Sequence, residues 1–311
     1  MIRKPTVLVL GAGASAEYGF PTGRSLLLHI VRELRGSSRL HLDMAECGFS
    51  DDLIKQFSSE LSASNQPSVD AFLEQHKNNT DYENLGKAAI ASSLIRFEDT
   101  PAMDNRDDLK LYEYIWGRAS ATPATYAANA LSILTFNYDR SFDEFLRRSL
   151  CASHPEFRTR DKPFEVAVSH FPIVHLYGSL GSVDENHDSY LKYGGADNPS
   201  LPPTIRAAAK RIKLYHQAKF DQHSVDLIHE RIETAETICF LGFGFYPMNI
   251  KILQFCGLGK NKSTKHYASS YGLMPGEERA ALEALGLKVE FARGDLKCLA
   301  ALRWLPVLVS G

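Results

Sequence analysis

The sequence predicts an α/β fold: a Rossmann-like, mainly parallel sheet with helices on both faces and a helical insertion. Three observations predict it. Thr6 to Leu10 is a continuous apolar, β-branched run ending at Gly11, the pattern of a strand buried on both faces. Similar runs recur at LSILTFN (131–137), PIVHLYG (172–178), ETICFLGFG (236–244), KHYAS (265–269) and KVEFA (288–292). Helical patterns lie among these runs, and strands alternating with helices imply a parallel sheet covered on both sides.

The elements follow in order. RSLLLHIVRELR (24–35) sets Leu27, Ile30, Val31 and Leu34 at helical spacing, and Gly36 closes the helix. From about 40 to 130 the stretches DDLIKQFSSEL, SVDAFLEQHK, NLGKAAIASSLIRFE and DLKLYEYIWGRA read as helices with no convincing strand, a helical insertion within a single domain spanning 1–311. SVDLIHERIETA (224–235) carries Val225, Ile228 and Ile232 on one face, with Ser224 placed to cap it. Residues 181–222 open rich in Gly, Asp, Asn and Pro and read as a flap.

Composition excludes several function classes. The 35 basic and 37 acidic side chains leave a formal charge of −2, with no overall cationic field for direct nucleic-acid binding. The five cysteines, Cys47, Cys151, Cys239, Cys256 and Cys298, contain no CxxC pair, so neither a disulfide framework nor a zinc module is expected. Reduced thiols in a cytoplasmic protein are the simplest reading, with Cys239 in the core. No window approaches the roughly eighteen apolar residues of a membrane span, and the run behind MIRKP is too short for a signal peptide. No HxxxH or HExxH spacing offers a metal site.

Four segments carry chemistry. Gly11, Gly13 and Ala16 fit GxGxxG/A after a buried strand, where glycines allow a tight turn and close approach of a pyrophosphate. An ordinary glycine turn is the competing reading. The acidic strand end that a dehydrogenase needs about twenty residues on is missing, since that region is helix followed by GSSRL. LTFNYD (134–139) puts Thr135, Asn137 and Asp139 at a strand's carboxyl end, where ligands lie in open α/β sheets. Alternatively, Asn137 turns the chain and Asp139 caps SFDEFLRRSL. IVHLYGSLG (173–181) ends a strand with His175, a catalyst or a hydrogen-bonded core residue. FLGFGFYPMN (240–249) supplies Gly242 and Gly244, which permit close backbone approach to a ligand or merely form a loop.

Taken in order, GAGAS with GFPTG downstream, TFNYD, HLYGS and LGFG resemble the sirtuin family at its NAD-binding motifs, GAGxS with GIPDFR, TQNID, HG and a glycine-containing strand end. The family's paired zinc cysteines are absent, Pro-Asp-Phe becomes Pro21-Thr22-Gly23, and TQNID becomes TFNYD. The chain is therefore more similar to bacterial sirtuin-like proteins that hydrolyse NAD in anti-phage defence, with their helical layer, SVDAFL-type segment and TxNYD. That resemblance implies an NAD+ glycohydrolase with NAD as substrate and no metal. It implies Asn137 as the residue positioning water or ribose, His175 as general base and Asp139 at the ribose. Cofactor contacts fall to Gly11, Ala12, Gly13, Ser15, Ala16, Phe20, Pro21, Arg24, Thr135, Gly242, Gly244 and Asn249. It further implies a homo-oligomer working with a partner ATPase or nuclease subunit. The alternatives are an NAD-dependent deacylase or ADP-ribosyltransferase, and a non-catalytic NAD or ADP-ribose sensor subunit.

Overall fold

Six strands, β1 (Thr6–Leu10), β2 (Leu131–Thr135), β3 (Ile173–His175), β4 (Thr237–Leu241), β5 (Lys265–Ala268) and β6 (Val289–Phe291), form one parallel sheet in the order β3-β2-β1-β4-β5-β6. The structure is a computed structural model and describes residues 1–98, 103, 108–119, 128–154, 172–195, 201–217 and 222–308. All six strands fall within the apolar runs that predict them. The runs LSILTFN, PIVHLYG and ETICFLGFG are longer than the strands they contain, because their last residues leave the sheet as loops. The central strands β1, β2 and β4 are buried at every position, while the edge strand β3 is only half-buried.

Register matters for function. Leu10 lies level with Thr135 on one side and Leu241 on the other, so the loops starting at Gly11, Phe136 and Gly242 leave the sheet side by side. The chain passes from β1 outward to β2 and β3, then returns to β4 on the other flank. β1 and β4 therefore frame the point where strand order reverses, outside whose carboxyl ends ligands bind in such sheets.

Helix α1 (Gly23–Leu34) is followed by the expected helical insertion: α2 (Arg39–Glu46), α3 (Asp51–Ala63), α4 (Val69–Gln75), α5 (Thr80–Phe97) and α6 (Leu111–Ala119). The remaining parts of the insertion, 99–102, 104–107 and 120–127, lie outside the described residues. Ser38, Ser50, Ser68 and Asn79 start α2 to α5, each side chain accepting the amide three residues on. Helix α5 is buried on nearly all sides, and its run of Gly86, Ala88, Ala89 and Ala91 lets neighbours approach closely. A Cβ at Gly86 would lie 2.7 Å from the Leu73 side chain, so α4 and α5 are in direct contact there. Buried residues of the sheet and of the insertion join in one continuous core.

Further along run α7 (Ser141–Ser153), α8 (Leu201–Arg211), α9 (Gln222–Thr234), α10 (Pro247–Phe255), α11 (Pro275–Leu285) and α12 (Cys298–Trp304). Two expectations are modified here. Helix α9 begins at Gln222, so Ser224 falls inside its first turn rather than at its cap. The stretch 181–222, expected to be a flap, combines exposed residues such as 185–188 with buried and anchored ones; 196–200 and 218–221 lie outside the described residues. Helix α8 inserts Leu201, Ile205 and Ala208 into the core. Ahead of it, the wholly buried Arg140 donates to the carbonyls of Leu191 at 2.5 Å and Ser182 at 3.3 Å, and its partner Glu98 accepts the Gly194 amide at 3.1 Å. Polar loop composition does not reveal such anchoring because the anchor lies elsewhere in the chain. Cys239 is fully buried in β4, as its apolar run predicts. Among the described residues no helix is long and apolar enough to cross a membrane.

Candidate functional site

The turn after β1 and the loop after β4 are joined backbone to backbone. Gly11 donates its amide to the Leu241 carbonyl at 3.0 Å, and Gly13 donates to the Gly242 carbonyl at 3.1 Å. A Cβ on Gly11 would lie 2.4 Å from the Gly242 oxygen, and one on Gly13 would lie 2.8 Å from the Gly242 Cα. Gly242 itself has φ +60°, a conformation that favours glycine. The three glycines thus serve the contact between the two strand ends, a purpose that a motif reading does not separate from approach to a pyrophosphate. The chain also does not pass from this turn straight into a helix: 3-10 turns at Ala12–Ala14 and Ala16–Tyr18 intervene before α1. The amides of Gly13 and Ala14 are engaged, the latter on the Gly11 carbonyl at 2.9 Å.

Gly13→Val is accordingly expected to destabilise the whole protein, by about 1–3 kcal/mol of overpacking. Thermal unfolding checks this. The control Gly23→Ala, whose added Cβ meets only Ser68 Cβ at 3.5 Å, is expected to melt like the parent. Equal melting of Gly13→Val and the parent would show that the two turns can separate freely.

Above the joined turns opens a cavity of about 750 Å³, well within the range of small-molecule sites. The β1 turn contributes Gly11, Ala12, Gly13, Ala16 and Glu17, and the start of α1 contributes Thr22, Gly23 and Arg24. Ser68, Asp70 and Ala71 come from the start of α4, and Phe136, Asn137 and Tyr138 from the end of β2. Tyr177, Tyr215, Gly242 to Gly244 and Tyr246 to Asn249 after β4, Tyr271, Lys297 and Cys298 complete most of the wall. In the β4 loop Phe245 takes φ +53°, an uncommon conformation for a bulky residue. Its ring is wedged among Phe240, Phe243 and Phe291, with centroids 5.1–5.8 Å away, and this packing holds the loop against the strain.

Asn137 stands at the floor of the cavity. Its Nδ2 donates to the Gly11 carbonyl at 3.1 Å and reaches Ser15 Oγ at 3.4 Å, which fixes the amide's orientation by its bonding. Among the described residues no donor reaches Oδ1, and Asn137 is one of the residues lining the cavity. Beneath it lies a layer of polar groups bonded to one another. Ser15, fully buried, donates to Asp139 Oδ2 at 2.9 Å, and Asp139 Oδ1 accepts the Ser141 amide at 3.1 Å, holding the first residue of α7. Burial pushes the Asp139 carboxyl up, against the downward pull of the Ser141 and Ser15 donors.

His175 is committed on both sides. Its Nδ1 lies 2.9 Å from the Asn137 carbonyl and its Nε2 lies 3.1 Å from Asp143 Oδ2. Both partners can accept hydrogen bonds, so the arrangement suits an imidazolium, which donates from both nitrogens. Burial pulls its pKa down, but the charge and hydrogen bond of Asp143 more than offset this, and the net shift is upward. An imidazolium has no lone pair with which to take a proton. In this arrangement His175 orients the Asn137 main chain and is not poised as a general base.

Of the residues singled out by sequence, Gly11, Ala12, Gly13, Ala16, Arg24, Asn137, Gly242, Gly244 and Asn249 meet at the cavity. Ser15, Phe20, Pro21, Thr135, Asp139 and His175 are not on its wall. Phe20 is in the core, and Thr135 Oγ1 accepts the Asn137 amide at 3.1 Å. Residues that sequence reasoning passed over include Asp70, Tyr138 and Tyr177, whose hydroxyl donates to Asn249 Oδ1 at 2.7 Å. Tyr177 directly precedes Gly178 in HLYGS, a segment singled out only for its histidine. Asp70 was signalled only as the one acidic residue of SVDAFL. No family model matches the chain, and no curated protein matches its sequence.

Proposed function

We propose that the protein is an NAD+ glycohydrolase, cleaving NAD to ADP-ribose and nicotinamide. The observation that carries this reading is the cavity at the β1/β4 reversal point, with Asn137, whose Oδ1 accepts no bond from the described residues, in its wall. Breaking the nicotinamide–ribose bond develops positive charge on the sugar, so a site must hold the ribose, place one water and exclude the rest. Asn137 Oδ1 suits this task as an acceptor for a ribose hydroxyl or the attacking water. Thr22, Gly23 and Arg24 bring the start of a twelve-residue helix and a guanidinium to the wall, a setting that favours a pyrophosphate. Ser15, Asp139 and His175 support Asn137 from below.

No metal takes part in this reading. The wider setting we propose is an NAD-depleting effector of anti-phage defence in the bacterial cytoplasm, kept inactive by homo-oligomerisation or by a partner ATPase or nuclease subunit. A second reading, a non-catalytic NAD or ADP-ribose sensor subunit, is favoured by the committed nitrogens of His175.

One assay separates these readings. The protein is incubated with NAD in the presence of chelator, and products are followed together with absorbance of reduced cofactor. Free nicotinamide and ADP-ribose without reduced cofactor are expected. Tight NAD binding with no turnover supports the sensor, and acetylated ADP-ribose formed only with acetyl-lysine peptide supports a deacylase. Activity lost to chelator and restored by a single metal would overturn the metal-free mechanism.

A further inference from the structure

We infer that Asp70 is the proton acceptor of this cavity and that Tyr138 positions it; the assignment rests on the glycohydrolase reading. The reaction needs such a group. Water oxygen bonds to C1′ of the ribose as the C1′–N bond breaks, its electron pair leaving with nicotinamide as a neutral ring. The water must then lose a proton, so NAD+ and water give ADP-ribose, nicotinamide and H+. Among the described residues no histidine lines the cavity, and its wall holds two carboxylates, Glu17 and Asp70. Glu17 Oε2 accepts the Leu111 amide at 3.2 Å, a structural bond to the start of α6.

Asp70 is differently placed. It sits in the first turn of α4, whose Val69, Phe72 and Leu73 are buried in the core and whose cap, Ser68, accepts the Ala71 amide at 3.2 Å. Tyr138 donates its hydroxyl to Asp70 Oδ1 at 2.5 Å; its distance to the Lys213 carbonyl is 3.3 Å, so its single proton goes to the carboxylate. Tyr138 directly follows Asn137, and both line the cavity, so this bond ties Asp70 to the loop that carries Asn137. A carboxylate accepts about four hydrogen bonds. Tyr138 uses one, leaving capacity for a water. Burial raises the Asp70 carboxyl above the usual range while the Tyr138 hydroxyl pulls it down, and a raised carboxylate is the better base near neutral pH.

The test compares Asp70→Asn and Tyr138→Phe with the parent by calorimetric NAD affinity, nicotinamide release across pH, and melting. Asp70→Asn keeps an acceptor for Tyr138 and should fold, bind NAD within about threefold, and lose turnover by about 100-fold or more, along with the acidic limb of its pH profile. Tyr138→Phe removes a bond that lowers the Asp70 pKa, so its acidic limb should move to higher pH while turnover persists. Parent-like turnover in Asp70→Asn, or an unmoved limb in Tyr138→Phe, overturns the assignment while leaving the glycohydrolase standing. Loss of NAD binding in a folded Asp70→Asn overturns it too, making Asp70 a binding residue. A parent protein that releases no nicotinamide sinks the glycohydrolase and this assignment together.

Discussion

NAD cleavage by the Asn137→Ala variant is expected to fall by about 100- to 1,000-fold, the loss typical of removing one preorganised polar group from a reacting centre. The fold should survive. The side chain contributes its bond to the Gly11 carbonyl at 3.1 Å, a contact worth about 1 kcal/mol net. The joined turns keep their own backbone bonds between Gly11 and Leu241 and between Gly13 and Gly242. His175→Ala should act through the same residue, because it releases the Asn137 carbonyl without removing Oδ1, and a smaller loss of about tenfold is expected. Nicotinamide release and melting, measured on both purified variants, check the pair. Undiminished turnover in Asn137→Ala would remove the residue from the mechanism. A loss in His175→Ala as large as that in Asn137→Ala would restore the histidine to direct chemistry.

The largest stability effect is expected from Arg140→Ala. Arg140 and Glu98 are both wholly buried, with the guanidinium gripping the carboxylate at 2.7 Å. Removing one member of such a pair strands the other, at a cost of about 3–5 kcal/mol. For a chain of this length that is a fall in melting temperature of roughly 10 °C. The effect should depend on pH. Burial pushes the Glu98 carboxyl up to about 7 even though Arg140 pulls it down, so without Arg140 it rises further. Below the parent value both proteins hold the carboxyl neutral and the charge adds no difference. Above it the parent ionises beside a cation while the variant cannot, so the destabilisation should be larger at about pH 8 than at about pH 6. Hydrogen exchange at Gly194, whose amide Glu98 accepts, should quicken in the variant. A melting temperature unchanged at both pH values would show that this pair does not anchor the 182–194 segment.

Much of the fold was legible. The apolar runs that mark all six strands are local patterns, and the helical insertion between β1 and β2 shows the same 3.6-residue spacing along its own length. The insertion also explains why no acidic strand end was found about twenty residues after the glycine turn: the strand beside β1 exists, but it begins at Leu131 and leads into Phe136 and Asn137. Sequence put Asn137, the glycine turns and Arg24 at one place. It did not show that Arg140 bonds to residues 182 and 191, because Arg140 is 51 residues before Leu191 and its own partner, Glu98, is 42 residues before it.

By itself the sequence determined the class of sheet, the order in which the polar strand ends appear, and the glycines that allow two turns to meet. These depend on periodicity and on the conformations single residues permit, which are properties of short stretches. Only the tertiary structure decided which polar groups face the cavity and which are spent on one another. Thr135, Asn137 and Asp139 alternate along one segment, yet Asn137 lines the cavity while Asp139 is consumed by Ser15, 124 residues away. Asp70 becomes part of the site through Tyr138, 68 residues on. A buried polar group must find a partner, and which partner it finds is settled when distant segments pack, so its freedom to do chemistry is not written in its own neighbourhood.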